Sequence, residues 1–164
     1  MKILVMSDTH RDTATMEQVI EHWKEVDAVI HCGDSELPAS YFESKPIHIV
    51  RGNCDFDEEF PEEVIIELGN ERILVVHGHK HQVKTTLMPL KYRGEEVQAT
   101  VVCFGHSHLL GAELQNGLLY INPGSLHMPR GRKEKSYAIV EKVEDTWLVN
   151  FYSAEHEILE SIRF

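Results

Sequence analysis

Cysteine is scarce in this chain of 164 residues, in which Cys32, Cys54 and Cys103 are the only three. They are widely spaced and form no CxxC pair. An odd, sparse set argues against a disulfide framework, and the missing CxxC spacing argues against a structural zinc site held by thiolates. We therefore expect the three thiols to be reduced, as they would be in the cytoplasm.

Long apolar runs are absent as well. No segment approaches the roughly 20 apolar residues that a membrane-spanning helix requires. The first residues, MKILVMSDTH, contain a short apolar stretch followed at once by polar and acidic residues, which is not the pattern of a signal peptide. We expect a cytoplasmic protein without a membrane partner.

Positive charge is in short supply. The chain has 16 lysine and arginine residues against 27 aspartate and glutamate residues, for a formal net charge of -11. Nonspecific binding to nucleic acid depends on Lys and Arg, so this balance disfavours a nucleic-acid partner. A small phosphate-ester substrate would need local positive charge, which bound divalent cations would supply. The sequence is compatible with a homo-oligomer.

The rest of the composition is that of an ordinary globular protein, with 42% hydrophobic and 26% charged residues. A chain of this length buries roughly 70% of its unfolded surface in one domain, so we expect a single domain over residues 1–164. Histidine is abundant: there are 11, and five lie at positions 77, 79, 81, 106 and 108. This clustering is the most informative feature of the composition.

The first third of the sequence alternates strands with helices. Three apolar runs, KILVMS (2–7), DAVIHC (27–32) and PIHIV (46–50), predict buried strands. Apolar residues at helical spacing predict a helix from Thr13 to about Lys24, capped by Asp12 or Thr13, and a short helix is indicated near 37–43. Such alternation indicates parallel strands, whose ligands bind beyond their carboxyl ends.

The remainder is richer in hairpins. EVIIEL and ERILVV flank Gly69-Asn70, GAELQ and LLYIN flank Asn116-Gly117, and a further strand pair surrounds Glu144-Asp145. Residues 82–98 are expected to be partly helical, although Pro89 and Gly94 weaken that pattern. We predict an α/β fold in which β-sheets pack against each other with helices outside.

Five of the predicted strands end in the polar segments SDTH, CGDS, RGNCD, HGH and GHSH. Loops that leave one edge of a rigid sheet can bring oxygen and imidazole donors together with little reorganisation. Seven donors are too many for one ion with an open substrate position, but they suit two ions that share a carboxylate. The seven are Asp8, His10, Asp34, Asn53, His77, His106 and His108.

These segments resemble the motif blocks of the calcineurin-like metallophosphoesterases, particularly their small, single-domain, YfcE-like branch. The D-x-H, G-D, G-N, H-G-H and G-H-x-H blocks correspond here to 8–10, 33–34, 52–53, 77–79 and 105–108. The resemblance runs from residue 3 to about residue 130. It implies two packed, mostly mixed β-sheets flanked by helices.

The resemblance also implies the role of each donor. One ion would be held by Asp8, His10, Asp34 and His108, and the second by Asp34, Asn53, His77 and His106. Asp34 would bridge them, and His10, Asp34 and Asn53 would take part in catalysis. A metal-bridging hydroxide would then hydrolyse a phosphodiester. Donors of this kind suit Mn, Fe, Ni, Co or Zn, and we expect Mn first.

Cys54 departs from many relatives, which place a histidine after the G-N asparagine in a position resembling that of a general acid. A neutral thiol is a poor substitute, so esters with good leaving groups should be favoured. The proton donor could instead be His10, His79 or His127. Solvent-facing or supporting roles are favoured over ligation for His79, and a loop role over substrate contact for Arg130.

Three alternatives stay open at this point. NPGS at 122–125 is either a tight turn or a phosphate contact. The retromer coat contains a scaffold subunit of this fold that binds proteins without catalysis, although the complete donor set here favours an enzyme. A nuclease or a phosphomonoesterase of the same fold is the remaining possibility.

Overall fold

A computed structural model describes all residues 1–164. It contains two α-helices, α1 (Thr13–His22) and α2 (Met88–Glu96), and short 3-10 turns at Ala39–Tyr41 and His79–His81. The eleven strands are β1 (Lys2–Met6), β2 (Ala28–His31), β3 (Ile47–Ile49), β4 (Glu63–Leu68), β5 (Glu71–Val76), β6 (Val101–Cys103), β7 (Leu110–Gln115), β8 (Leu118–Pro123), β9 (Ser136–Val143), β10 (Thr146–Ser153) and β11 (Ile158–Arg163). Neither helix is long and apolar enough to cross a membrane.

The strands form two mixed sheets. The first has the order β11-β10-β9-β1-β2-β3 and the second the order β4-β5-β6-β8-β7. Strands β1, β2 and β3 run parallel, as do β5, β6 and β8, and the other pairs are antiparallel. This confirms the α/β fold with two packed, mostly mixed sheets. The parallel strands of each sheet deliver their carboxyl ends to one edge.

The main core lies between the two sheets. Ile3 and Val5 of β1 belong to this core, whereas Leu4 and Met6, which point to the opposite face, pack with Met16 of α1. Both faces of β1 are therefore buried, which explains why its sequence is a continuous apolar run. The Asp12 side chain accepts a hydrogen bond from the amide of Thr15 and caps α1.

Helix α2 covers the outer face of the second sheet. It packs Leu90 against Val102 and Leu118, with Pro89 in its first turn. A Cβ on Gly94 would lie 2.7 Å from Leu118 Cδ2, so this glycine allows the helix to approach the sheet closely. The partly helical prediction for residues 82–98 is thus correct over Met88–Glu96.

The three predicted hairpins are confirmed, and the short helix predicted near 37–43 is confirmed only as a 3-10 helix of three residues. Asn116 and Gly117 have φ values of 52° and 82°, as the two central residues of a type I′ turn require. The predicted helix near 37–43 is only the 3-10 turn Ala39–Tyr41, which has no side-chain cap of its own; the amide of Ala39 binds Asp57 instead. A segment that short lacks enough helical hydrogen bonds to form an α-helix.

Candidate metal centre

The loops after β1, β2, β3, β5 and β6 meet at one edge, where the two sheets lie side by side. The loop after β1 carries Asp8 and His10, and those after β2 and β3 carry Asp34 and Asn53. The second sheet contributes only imidazoles. The structure brings all seven predicted donors into one cluster, whose members are Asp8, His10, Asp34, Asn53, His77, His106 and His108.

Asp8 presents one oxygen to the protein and the other to the cluster. Its Oδ2 accepts hydrogen bonds from the Ser7 hydroxyl at 2.6 Å and from the amide of His106 at 3.1 Å. Its Oδ1 is buried and makes no hydrogen bond, although His108 Nε2 lies 3.0 Å away and His10 Nε2 4.0 Å away. A buried carboxylate oxygen that makes no hydrogen bond requires a cation or a proton beside it.

The hydrogen bonds of three histidines fix which ring nitrogen faces the cluster. His77 donates from Nδ1 to the carbonyl of Cys32 at 2.7 Å, and His108 donates from Nδ1 to the carbonyl of Met128 at 2.7 Å. His10 Nδ1 lies 2.7 Å from Glu36 Oε1, and its buried Nε2 has no partner. The three Nε2 atoms therefore face the cluster, the usual arrangement of metal-binding histidine. These donors fit divalent cations.

Asp34 is the carboxylate that reaches both sides of the cluster. Its Oδ2 lies 3.3 Å from His77 Nε2 and 4.0 Å from His10 Nε2, while its Oδ1 accepts a hydrogen bond from the amide of Cys54 at 2.8 Å. Burial raises the pKa of Asp34, but the hydrogen bonds from His77 and Cys54 and the charge on His77 outweigh burial and lower the pKa. Asp34 therefore stays ionised.

The two histidines of GHSH are in different electrostatic states. Burial and the charge of His77 lower the pKa of His106 to about 4, so His106 is neutral and can offer a lone pair. Its ring centroid lies 5.1 Å from that of His77. The Asp8 carboxylate, whose Oδ1 lies 3.0 Å from His108 Nε2, raises the pKa of His108 above its usual value. A cation bound by His108 would compete with the proton that this raised pKa favours.

Five of the seven donors have a left-handed backbone, which sequence inspection did not reveal. This conformation is uncommon for residues other than glycine and costs on the order of 1–3 kcal/mol each. It turns the chain sharply where each strand ends, so that the side chains point back over the sheet edge. The φ values are 53° for Asp8, 42° for His10, 58° for Asp34, 67° for His106 and 60° for His108.

Two motif glycines are explained by the close approach of these loops. A Cβ on Gly52 would lie 2.0 Å from Asp34 Oδ1, and a Cβ on Gly105 would lie 2.0 Å from Ser7 Oγ. Any larger residue at either position would push a loop out of place. The glycines of the G-N and G-H-x-H blocks thus make room for the donors.

Asp55 holds two of the loops together, and it was missed in the sequence. Its carboxylate accepts hydrogen bonds from the amides of Asp34 at 2.8 Å, Gly52 at 2.7 Å and Glu36 at 2.7 Å, and from the Ser35 hydroxyl at 3.3 Å. It is only 4% exposed. The available signal was its place as the last residue of the RGNCD segment, but an aspartate there could equally have been solvent-facing.

We expect Asp55→Ala to lower the free energy of unfolding by about 2–5 kcal/mol, because each buried amide left without an acceptor costs about 1–3 kcal/mol. Urea denaturation of the metal-free protein measures the change. Asp57→Ala is the matched control, since Asp57 also binds two backbone amides but is more exposed. Equal losses in the two variants would contradict the role given to Asp55.

The NPGS segment is the end of strand β8 and the two residues after it, and it positions the site. Asn122 donates from its side-chain amide to the carbonyl of Gly105 at 3.0 Å and to the hydroxyl of Ser107 at 2.9 Å. Ser125 donates to the carbonyl of Asp8 at 2.8 Å. The segment therefore ties the GHSH loop and the Asp8 loop to the second sheet.

The candidate proton donors lie around the rim. Burial and the negative charge of Asp34 raise the pKa of the exposed Cys54 thiol to about 11, so the thiol is neutral. The exposed His127 ring lies 5.9 Å from the His10 ring. His79 is half-buried, 5.4 Å from the His77 ring, with an unpartnered Nδ1. Arg130 is exposed, and its amide donates to the carbonyl of His108 at 3.0 Å.

A sheet edge with buried, unpartnered oxygen and imidazole donors is the site of a metal-dependent phosphoesterase of the two-sheet α/β type. Residues 1–145 match the family model of the calcineurin-like phosphoesterase superfamily domain. The chain belongs to this family, which confirms the resemblance drawn from its five motif blocks.

The relatives agree with this assignment. The chain is 43% identical over 164 residues to the probable metallophosphoesterase YsnB of Bacillus subtilis, covering 99% of this chain and 97% of that protein. It is 26% identical over 170 residues to the phosphodiesterase YfcE of Escherichia coli, covering 86% and 88% of the two chains.

Two solved structures show the extent of the fold likeness. A conserved protein of Streptococcus pneumoniae, predicted to be a phosphoesterase, superposes with a TM-score of 0.93 at 37% identity, covering 99% of this chain and 96% of that one. Vps29 of Entamoeba histolytica, crystallised with Zn²⁺, gives a TM-score of 0.76 at 18% identity, covering 100% and 98%. The second likeness shows the fold alone.

Proposed function

We propose that this protein is a dinuclear metal-dependent phosphodiesterase. The observation that carries the proposal is the position of Asp34 Oδ2, which lies within 4.0 Å of His10 Nε2 on one side and 3.3 Å from His77 Nε2 on the other. A single carboxylate placed between two groups of donors is what two ions sharing a ligand require.

The donors divide into two sets around Asp34. For the first ion we propose Asp8, His10, Asp34 and His108, which is supported by the unpartnered Asp8 Oδ1 and His10 Nε2. For the second we propose Asp34, Asn53, His77 and His106, which is supported by the 3.0 Å separation of His77 Nε2 and Asn53 Oδ1. The donor atoms are oxygen and nitrogen, and Mn is our first choice, with Fe, Ni, Co and Zn as alternatives.

Bound cations would activate water and neutralise charge on the phosphate. The residues of the chain keep that chemistry in place. Asp34 stays ionised, and the contacts of His10, His77 and His108 with Glu36, Cys32 and Met128 prevent their rings from turning away. The neutral Cys54 thiol is a weak proton donor, so leaving groups that need no protonation should react best.

Charge favours a diester over a monoester. A phosphodiester carries one negative charge and a monoester up to two, and the site is surrounded by Asp8, Asp34 and Glu36 in a chain with a formal net charge of -11. The name of the relative YfcE, a phosphodiesterase, supports the same choice.

The test compares bis(p-nitrophenyl) phosphate with p-nitrophenyl phosphate at saturating Mn. We expect kcat/KM to be at least about tenfold higher for the diester, because the negative net charge of the chain repels the extra charge of the monoester. A preference for the monoester would overturn diester specificity and leave a phosphomonoesterase. Hydrolysis of neither ester, with tight capture of a protein partner, would favour the scaffold alternative.

We also propose that residues 1–164 form one domain in the cytoplasm. Strand β9, near the end of the chain, pairs with β1 at its start, so both ends of the chain belong to the same sheet. The three cysteines are free thiols, as expected where disulfides do not form.

A further inference from the structure

A cleft of about 460 Å³ lies beside the metal centre and plays no part in holding metal. It lies on the outer face of the second sheet, beside the part of that face that α2 covers. Gly111 and Glu113 of β7 pair with Asn122 and Tyr120 of β8, and all four line the cleft. A volume of this size is typical of sites that hold small organic molecules, roughly 300–1,000 Å³.

The cleft and the metal centre share the GHSH loop. His106 and His108 belong to the metal cluster, and Ser107, between them, lines the cleft. Lys84 and Arg130 also line it, and both lie close enough for their charges to act on these two histidines. A molecule whose phosphate lies at the metal centre could therefore place another part in the cleft.

The walls of the cleft are suited to a ring. Side chains of Val83, Leu87, Phe104 and Leu109 provide apolar surface, and Leu109 is 50% exposed although it is a large apolar residue. Stacking and edge contacts with Phe104 favour an aromatic guest over an alkyl chain. Lys84 and Arg130 form no ion pair with the protein, so they are free to attract an anion.

One polar atom in the cleft lacks a partner. The phenolic oxygen of Tyr120 is buried, the residue is only 1% exposed, and the oxygen makes no hydrogen bond. Buried hydroxyl groups almost always have a partner, so an orphan that lines a cleft points to a ligand atom.

We propose that the cleft binds the second, non-leaving ester group of the phosphodiester substrate, and that this group is an aromatic or heteroaromatic ring with a polar atom that meets Tyr120. The proposal rests on the phosphodiesterase function proposed above. Phe104 and the leucines contact the ring, Tyr120 selects its polar edge, and Lys84 and Arg130 attract the anionic ester.

The experiment uses p-nitrophenyl phosphodiesters that share one leaving group and differ in the second ester group, which is methyl, phenyl or one of the three pyridyl isomers. With Mn present, we expect kcat/KM for the phenyl ester to exceed that of the methyl ester at least about tenfold, as is usual when a pocket accommodates extra apolar atoms. At least one pyridyl isomer should react faster than the phenyl ester.

Gly111 offers a clean way to fill the cleft. A Cβ at this position would meet no atom within 4 Å, and its φ is not left-handed. Gly111→Phe should reduce the phenyl-to-methyl ratio to about one, and Gly111→Ala is the control with little added volume. Tyr120→Phe should keep the phenyl preference and lose the advantage of the pyridyl ester.

A binding measurement separates this inference from the proposed function. Diphenyl phosphate added to the metal-free protein should shift the methyl NMR signals of Val83, Leu87 and Leu109, and Gly111→Phe should abolish the shifts. Shifts confined to other residues, or equal losses for methyl and phenyl esters in Gly111→Phe, would overturn the cleft proposal. If no ester is hydrolysed with Mn, the phosphodiesterase proposal fails while the NMR result still decides the cleft.

Discussion

Removing divalent metal is expected to lower hydrolysis of bis(p-nitrophenyl) phosphate by at least about 10³-fold, because cation stabilisation of the reacting phosphate is worth several kcal/mol. The side chains of the cluster are proposed to act as metal ligands, and three of its histidines are held by Glu36 and by backbone carbonyls, so the reaction should depend on the cations. Dialysis against a chelator followed by addition of Mn measures the loss and its recovery.

Thermal stability and secondary structure provide the control for this prediction. Ions that bind only the folded state stabilise it, by about 2.7 kcal/mol at a free concentration one hundred times Kd. The midpoint of thermal unfolding should therefore fall with the chelator and recover with Mn, while circular dichroism at low temperature stays the same. Full activity in protein shown to be metal-free by elemental analysis would reject the metal-dependent mechanism.

Asp34→Asn should lower kcat at saturating Mn by at least about 10²-fold, more than the loss usually seen when a residue supporting a metal ligand is removed. The substitution removes the negative charge proposed to be shared by both ions. It leaves an oxygen to accept the hydrogen bond from the amide of Cys54, so the loop should keep its shape. Steady-state kinetics and metal titration together measure the effect.

His79→Gln is the comparison variant, because His79 borders the same cluster but is placed outside the two ligand sets. We expect it to cost less than about tenfold in kcat. A larger loss for His79→Gln than for Asp34→Asn would mean that His79 holds a metal or that Asp34 does not bridge. Without metal, both variants should unfold near the urea concentration of the metal-free wild type, since neither change empties the apolar core.

The sequence predicted the elements that depend on local pattern. The strands were visible as apolar runs, the hairpin turns as Asn-Gly and Gly-Asn pairs, and the donors as polar residues at strand ends. Each of these signals is carried by neighbouring residues. The helix near 37–43 is shorter than its sequence indicated. The amide of Ala39 at its start binds the side chain of Asp57, a contact that the local sequence does not reveal.

Long-range contacts were beyond the reach of the sequence. Ser125 donates a hydrogen bond to the carbonyl of Asp8, which lies 117 positions earlier in the chain. Asp55 accepts hydrogen bonds from amides in the loops after β2 and β3. Left-handed backbone at Asp8 and Asp34 is likewise imposed by packing and not by residue type. The donor types could be predicted from the motifs, whereas the supports that hold them require the coordinates.

The division of the donors between the sheets has a mechanical consequence. Asp8, His10, Asp34 and Asn53 hang from the first sheet, and His77, His106 and His108 from the second. Ions held between them would act as a non-covalent cross-link that joins the two sheets at this edge. Sliding or splaying of one layer against the other would then break coordination bonds before it exposed the core. Metal binding would therefore hold the two sheets together at this edge.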